Sequence, residues 1–260
     1  MQILIPMVGA GQRFRDAGYR LPKPLIEVDG TPMIVRVVED LPPTDRLVLV
    51  VNRQHVAEFH IDQVLRSYFP SADIVIAPGL TEGQACSVQL GIPALDPQES
   101  VLVAACDNTH IFDAEKFRRL TQTPEVDALI WTYRHEPRVL IHPQWYGWVQ
   151  TESGSQGRVA QVSVKKPLSD NPLQDHVVSG SFWFRSGQLL AEGIERLLAA
   201  NDRVNNEFYL DSVPAQLMKQ GCQVRVMEVE KYIGWGTPAD YEDYQRWSNY
   251  VHRRIARPAA

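Results

Sequence analysis

Residues 2–14 read Q-I-L-I-P-M-V-G-A-G-Q-R-F. Gln2 to Pro6 is a short apolar run without polar alternation, the pattern of a strand buried on both faces. It runs directly into a loop carrying Gly9 and Gly11. Glycine permits positive φ and close approach of a ligand to the backbone. A strand feeding such a turn brings peptide N–H groups to phosphate oxygens. The dinucleotide fingerprint would need a third glycine at position 14, where Phe14 stands, so hydride chemistry is disfavoured. No G-K-[ST] follows, so the P-loop pattern fails as well.

Outward from this loop, the first half alternates strand and helix. A helix is predicted over Thr31–Leu41 with Thr31 as N-cap, a strand over Arg46–Val51 and a single helix over Gln54–Phe69. A strand over Asp73–Ala77, a helix over Glu82–Leu90 and a strand over Val101–Ala105 follow. Alternation of this kind implies parallel βαβ units. The second half is richer in strands: Ala128–Tyr133, Tyr146–Gln150, Arg158–Val164, Val177–Phe184 and Gln223–Val229. Helices are predicted over Gln188–Ala200, Glu207–Gln220 and Pro238–Arg254. The fold class expected is α/β, one domain over 1–260, with a nucleotide-binding half to about residue 125 and an acceptor-binding half from about 126.

Arg13 follows the glycines, and Lys23 comes ten residues later in L-P-K-P-L. Arginine offers a planar fork for phosphate and lysine a compact charge. Pro22 and Pro24 would hold Lys23 in an extended segment beside the loop. A fixed cation there suits an α-phosphate under attack, where charge accumulates in the transition state.

G-A-G-Q-R-F followed by R-L-P-K-P-L-I-E-V-D-G-T-P-M-I closely resembles the N-terminal signature of the sugar-phosphate nucleotidyltransferases, the nucleoside-triphosphate transferase family. The resemblance extends more weakly over nearly the whole chain. It implies a Rossmann-like three-layer sandwich around a mixed, mostly parallel sheet, of the GT-A-like kind. It also implies an Mg²⁺-dependent reaction joining a nucleoside triphosphate to a phosphorylated acceptor with release of pyrophosphate. Arg13 and Lys23 would be catalytic, and Met7, Val8, Gly9, Ala10 and Gly11 would cradle the nucleotide.

Further segments fit the same pattern. Gly83, Gln84 and Ser87 lie in G-Q-A-C-S-V-Q-L-G, where the family reads the base. The Q-x-x-S-V-x-x-G spacing is similar to the cytidylyltransferase branch and favours CTP. Asp107 closes V-L-V-A-A-C-D, and a carboxylate at the end of such a strand can hold Mg²⁺. On the acceptor side the resemblance implies Gly147 in Y-G-W-V, Lys166 in V-K-K-P, Gly180 in S-G-S and Glu207 in N-E-F-Y. Lys165 stands where the family usually has an acid. Many relatives also place a second metal aspartate two residues before G-T-P, and here that position is Gly234. Glu230 is the expected substitute, with Asp240 the second choice.

The composition narrows the rest. The net charge of -5 and the pI of about 5.8 argue against general nucleic-acid binding. No apolar run approaches a membrane span, and the N-terminus lacks a signal-peptide pattern. Cys86, Cys106 and Cys222 form neither a disulfide framework nor a metal motif, which fits a reducing cytoplasm. The partners expected are a nucleoside triphosphate and a small phosphorylated acceptor, with a homodimer left open. The acceptor could be a hexose 1-phosphate, another sugar phosphate of surface-polysaccharide synthesis, or a small non-sugar phosphate or phosphonate. Two other function classes remain: a glycosyltransferase of the same scaffold using a nucleotide sugar, and a non-catalytic nucleotide sensor. The first normally wants D-x-D, and Asp107-Asn108-Thr109 does not supply it.

Overall fold

The first strand, β1 (Gln2–Met7), is buried along its whole length, and the chain winds outward from it. The computed structural model describes residues 1–255. Two short strands, β2 (Glu27–Val28) and β3 (Thr31–Pro32), form a hairpin of their own. The strands β4 (Arg46–Asn52), β5 (Asp73–Ala77) and β6 (Val101–Val103) extend the parallel sheet around β1. After β7 (Asn108–Ile111) come β8 (Ala128–Tyr133), β9 (Gly147–Thr151), β10 (Val159–Val164), β11 (His176–Phe184), β12 (Val224–Glu228) and β13 (Lys231–Gly234). The main sheet has nine strands in the order β10-β9-β11-β6-β1-β4-β5, with β8 and β12 added beside β11. Its pairings set β10 and β11 against the direction of the other strands, so the sheet is mixed and mostly parallel. The strands β7 and β13 form a separate antiparallel pair.

Alternate residues of the central strands feed two cores. Ile3, Ile5, Leu49 and Val51 face one, packed with Met33, Leu65 and Phe117 from three helices. Leu4, Val48, Val50 and Val103 face the other, packed with Val88, Ile194 and Leu217 from three more. This is the three-layer arrangement that a sheet buried on both faces requires. Trp131, Trp148, Trp183 and Trp235 are among the largest fully buried side chains, so most of the tryptophan serves the core.

Several helix boundaries differ from the sequence expectation, each for a local reason. Thr31 is not an N-cap but pairs with Val28 across a turn made by Asp29 and Gly30, both at positive φ. Asp-Gly between two short strands is a hairpin signal, and the helix begins only at Met33. The single helix expected over Gln54–Phe69 is two, Arg53–Phe59 and Ile61–Tyr68, broken at His60 with φ 49. The expected helix over Glu207–Gln220 is a short turn, Leu210–Ser212, followed by Val213–Met218. Main-chain hydrogen bonds of Glu207 to Val204 and of Phe208 to Glu82 and Ala85 hold the start of that segment out of the helix, and Tyr209 is extended.

His60 offers a stability test. It is exposed, and a left-handed conformation costs a non-glycine residue about 1–2 kcal/mol, partly offset by the greater unfolded-state entropy of glycine. His60→Gly is expected to stabilise the fold by about 0.5–1 kcal/mol in urea denaturation. No change or a loss would mean that the imidazole supplies something other than the bend.

Candidate functional site

Parallel pairing of β1 with β6 brings their carboxyl ends together, with Leu4 opposite Val103. The Gly9–Gly11 loop and the segment carrying Asp107 therefore leave the sheet side by side. This is the edge where open α/β sheets bind ligands. Gly11 has φ 63, and a side chain built at Gly9 would meet nothing within 4 Å, so the loop faces open space. The buried Asn52 amide donates to the Val8 carbonyl at 2.9 Å and fixes the loop from behind.

Two cavities open on this edge. One, of about 410 Å³, is lined by Met7, Val8, Gly9, Ala10 and Gly11 from the loop and by Gly83, Gln84 and Ser87 from the segment after β5. The structure thus brings together all eight residues expected to hold the nucleotide. The helix here starts at Gln84, with Gly83 as its cap. The Thr81 hydroxyl meets Ser87 Oγ at 2.6 Å and donates to the Gly83 carbonyl at 3.0 Å.

The second cavity, of about 350 Å³, is walled by Gly147 and Gly180, as expected on the acceptor side. Arg13 also lines it, with its guanidinium 4.3 Å from the centre of the Trp145 ring. Arg13 therefore sits on the acceptor side of the boundary rather than among the loop amides.

Lys23, Gln84, Ala105 and Asp107 line both cavities. Lys23 Nζ donates to Asp107 Oδ2 at 2.5 Å, so this ion pair forms part of the shared wall. Burial alone would lower the Lys23 pKa, but the Asp107 carboxylate outweighs it and the value lies above normal. Lys23 is a charged group at neutral pH. It opens a 3-10 turn, Lys23–Leu25, rather than lying in a fully extended segment. Pro24 occupies the second position of that turn, and Leu25 N–H closes it on the Pro22 carbonyl at 2.8 Å.

Three expected residues fall elsewhere. Lys166 is exposed and lines neither cavity; Lys165 lines the acceptor side instead. At φ 63 the backbone of Lys165 turns the side chain inward, where Nζ donates to the Trp145 carbonyl. Glu207 lines the nucleotide-side cavity, not the acceptor side. Tyr209 and Asp211, two and four residues on, take the acceptor side. Sequence reasoning missed Asp211, although it stands only two residues after the quoted N-E-F-Y.

Glu230 is the clearest correction. Antiparallel pairing sets Lys231 opposite Ile111 and Gly234 opposite Asn108. Glu230, one residue before Lys231, lies at the far end of this ladder from Asp107, exposed and absent from the cavity walls. Position 234 has no room for a ligand either: a Cβ there would stand 2.7 Å from the Tyr232 ring. Asp240 does line the acceptor-side cavity, where it accepts from Thr237 Oγ1 at 2.6 Å and faces Arg138 at 3.5 Å. Among the described residues no group of three or more His, Cys, Asp or Glu side chains is placed to cage a metal.

Known proteins resemble this chain in sequence and in fold. The chain is 28% identical over 238 residues to the bifunctional protein GlmU of Paraburkholderia phytofirmans, covering 88% of this chain and 47% of the relative. It is 34% identical over 105 residues to the 2-C-methyl-D-erythritol 4-phosphate cytidylyltransferase of Bacillus licheniformis, covering 39% and 43%. The chain thus spans about half the length of the curated relatives it matches. The nucleoside-diphosphate-sugar pyrophosphorylase of Vibrio cholerae RC9 superposes with TM-score 0.77 at 20% identity, over 94% of this chain and 99% of that one. The inositol-1-phosphate CTP transferase of T. maritima superposes with TM-score 0.69 at 16% identity, over 95% and 94%. At such identities the two structures speak for the Rossmann-like fold. Residues 3–204 match the MobA-like NTP transferase domain, a span that takes in the Gly9–Gly11 loop, Gln84 and Lys23 with Asp107, and the chain belongs to that nucleotidyltransferase family.

Proposed function

We propose that the protein transfers a nucleoside monophosphate, CMP by preference, from its triphosphate to a small phosphorylated acceptor, releasing pyrophosphate. The acceptor is a sugar phosphate or a compound of similar size, of the kind used for surface-polysaccharide precursors. One observation carries this reading: two cavities share a wall that includes a lysine–carboxylate pair. Nucleotide and acceptor bound on either side of that wall would meet at Lys23. The preference for CTP rests on the spacing of Gln84, Ser87, Val88 and Gly91.

The loop amides from Val8 to Gly11 bind the triphosphate, and Gln84 reads the base edge. Lys23 holds the α-phosphoryl group and stabilises the charge that develops on it. Arg13, stacked on Trp145, meets phosphate oxygens from the acceptor side. Lys165 receives the acceptor's phosphate and orients one oxygen toward phosphorus, so that attack is in line and no covalent enzyme intermediate forms. A hard carboxylate beside a phosphate site fits Mg²⁺, which protein carboxylates commonly bind together with substrate phosphates. Asp107 would hold the ion, and the bound metal would neutralise phosphate charge.

Pyrophosphate release tests the reading. CTP, UTP, GTP, ATP and dTTP are each incubated with Mg²⁺ and a panel of sugar phosphates and phosphonates. Release is expected with one base, CTP, and one acceptor class. A protein that binds none of the five triphosphates by calorimetry is not this enzyme. The two lysines separate in the same assay. Lys165→Ala should raise the acceptor KM by about tenfold or more, the value of one charged hydrogen bond. Lys166→Ala should stay within about twofold, as an exposed lysine outside the cavity. The reverse ranking would restore Lys166 to the site.

A further inference from the structure

The last helix, Pro238–Ile255, changes character along its length. Its first half is fastened to the body of the protein. Tyr241 donates to the Glu27 carbonyl and Tyr244 to Asp29 Oδ2, each at 2.7 Å, and Ser248 donates to Asp29 Oδ1 at 2.6 Å. Among the described residues Ser248 makes the last hydrogen bond from this helix to another element, and every residue from Asn249 to Ile255 is exposed. These final turns are nevertheless not polar. Trp247, Tyr250, Val251 and Ile255 stand at i, i+3, i+4 and i+8, so they form one stripe. Trp247 is 63% exposed and Ile255 77%, in a protein that otherwise buries most of its tryptophan. The stripe extends beyond the helix. Asp243 lies one turn before Trp247 on the same side, and Arg138 reaches both Asp243 and Asp240 from the 3-10 turn Pro137–Leu140. Those ion pairs bring the exposed Leu140 and Ile141 to the side of the helix that carries the stripe.

A contiguous exposed apolar patch rimmed by charge marks an interaction surface, and the charge says what it meets. Residues 244–255 hold three arginines and a histidine and no acid, although the whole chain carries a net charge of -5. Screening limits an exposed charge to about 8–10 Å, so the local excess decides. Arg253 and Arg254 are exposed and have no ion pair among the described residues. Trp247 and Tyr250 meet edge to face at 6.1 Å, and the Arg254 guanidinium lies 5.4 Å from the Tyr250 ring centre. Aromatic rings with an apolar body and a polar tip, beside arginines on an apolar stripe, suit the boundary between lipid headgroups and acyl chains. A second copy of this chain fits poorly. Antiparallel pairing centred on Val251 would gather the arginines of both copies with no acid opposite, and the nearby Asp240 and Asp243 are already held by Arg138. We infer that the Trp247–Ile255 end of the last helix, with Leu140 and Ile141 beside it, docks on an anionic phospholipid membrane. The helix lies on the surface and does not span it, since no helix among the described residues is long and apolar enough to cross. Arg138 and Asp240 also line the second cavity, so this surface adjoins the acceptor side. The inference is independent of the transferase reading.

Vesicle sedimentation with the full chain tests this. The probes are phosphatidylcholine vesicles with and without phosphatidylglycerol, at low and at high salt. The protein is expected to sediment with the phosphatidylglycerol vesicles, to bind pure phosphatidylcholine at least about tenfold more weakly, and to weaken as salt rises. The double variants Trp247→Ala/Tyr250→Ala and Arg253→Gln/Arg254→Gln should each lose about tenfold or more in binding. All four side chains are exposed, so both variants should melt as wild type does. Tryptophan emission should shift to the blue on the anionic vesicles, and Trp247→Phe should keep the binding and lose the shift. Failure of wild type to sediment with phosphatidylglycerol vesicles at low salt would overturn the proposal. So would a Trp247→Ala/Tyr250→Ala protein that binds as wild type does, since adsorption would then be by charge alone. A blue shift that persists in Trp247→Phe would place the contact elsewhere on the molecule and overturn it too. Light scattering separates the other occupant: a wild-type dimer that becomes a monomer in Trp247→Ala/Tyr250→Ala would assign the stripe to a second copy, against the proposal.

Discussion

Lys23→Ala is expected to lower kcat by about 100- to 1000-fold, which corresponds to about 2.7–4 kcal/mol of lost transition-state stabilisation. The group removed is a cation held at the wall common to both cavities, fixed by a 3-10 turn with Pro24 buried at its second position. Such preorganised charges act most strongly on charge that develops during the reaction, so the loss should fall on kcat more than on the KM for nucleotide. The fold should survive. Lys23 and Asp107 each keep 21% side-chain exposure, and a partly solvated pair contributes little to stability. Lys23→Arg supplies a control: it keeps the charge and changes its shape, so substantial recovery would mean that charge alone suffices. Turnover of Lys23→Ala near the wild-type level, in a protein with unchanged melting temperature, would remove Lys23 from the chemistry.

What the sequence showed of this site depended on how locally each part is built. The nucleotide side was legible because two stretches, residues 6–11 and 80–87, form most of it. Glycine spacing is a direct statement about backbone geometry. The acceptor side is assembled from segments far apart in the chain, and a shift of one residue there changes which face a side chain takes. The positive φ of Lys165 decides that it, and not Lys166, lines the cavity; nothing in V-K-K-P announces that turn. Glu230 failed for a related reason. The β7–β13 ladder was not anticipated, and only its register shows that Glu230 and Asp107 lie at opposite ends. Asp29-Gly30, by contrast, was a readable hairpin signal that a stronger helix pattern obscured.

Gly83→Ala should be among the most destabilising single changes in this protein. Gly83 has φ 126 and ψ 176, a conformation open almost only to glycine. Strain is only part of the cost. A Cβ at this position would lie 2.5 Å from the Phe208 carbonyl oxygen and 2.6 Å from its nitrogen, both main-chain atoms that cannot swing aside. That main chain is held from both sides: Phe208 N–H donates to the Glu82 carbonyl at 2.8 Å, and Ala85 N–H donates to the Phe208 carbonyl at 3.0 Å. Arg203 adds a clamp, with its guanidinium 3.9 Å from the Phe208 ring centre and an ion pair to Glu82. To admit one methyl group, the segment of Phe208 must separate from the start of the helix at Gln84. About 2–4 kcal/mol of stability should be lost in urea denaturation, the sum of backbone strain and broken main-chain hydrogen bonds. The functional consequence follows from what Phe208 adjoins. Glu207 lines one cavity, and Tyr209 and Asp211 line the other. Moving this segment should raise the KM for CTP and for the acceptor together, whereas Lys23→Ala acts mainly on kcat. A Gly83→Ala protein within about 0.5 kcal/mol of wild type would mean that the close approach of Gly83 to Phe208 is not what joins the two halves of the site.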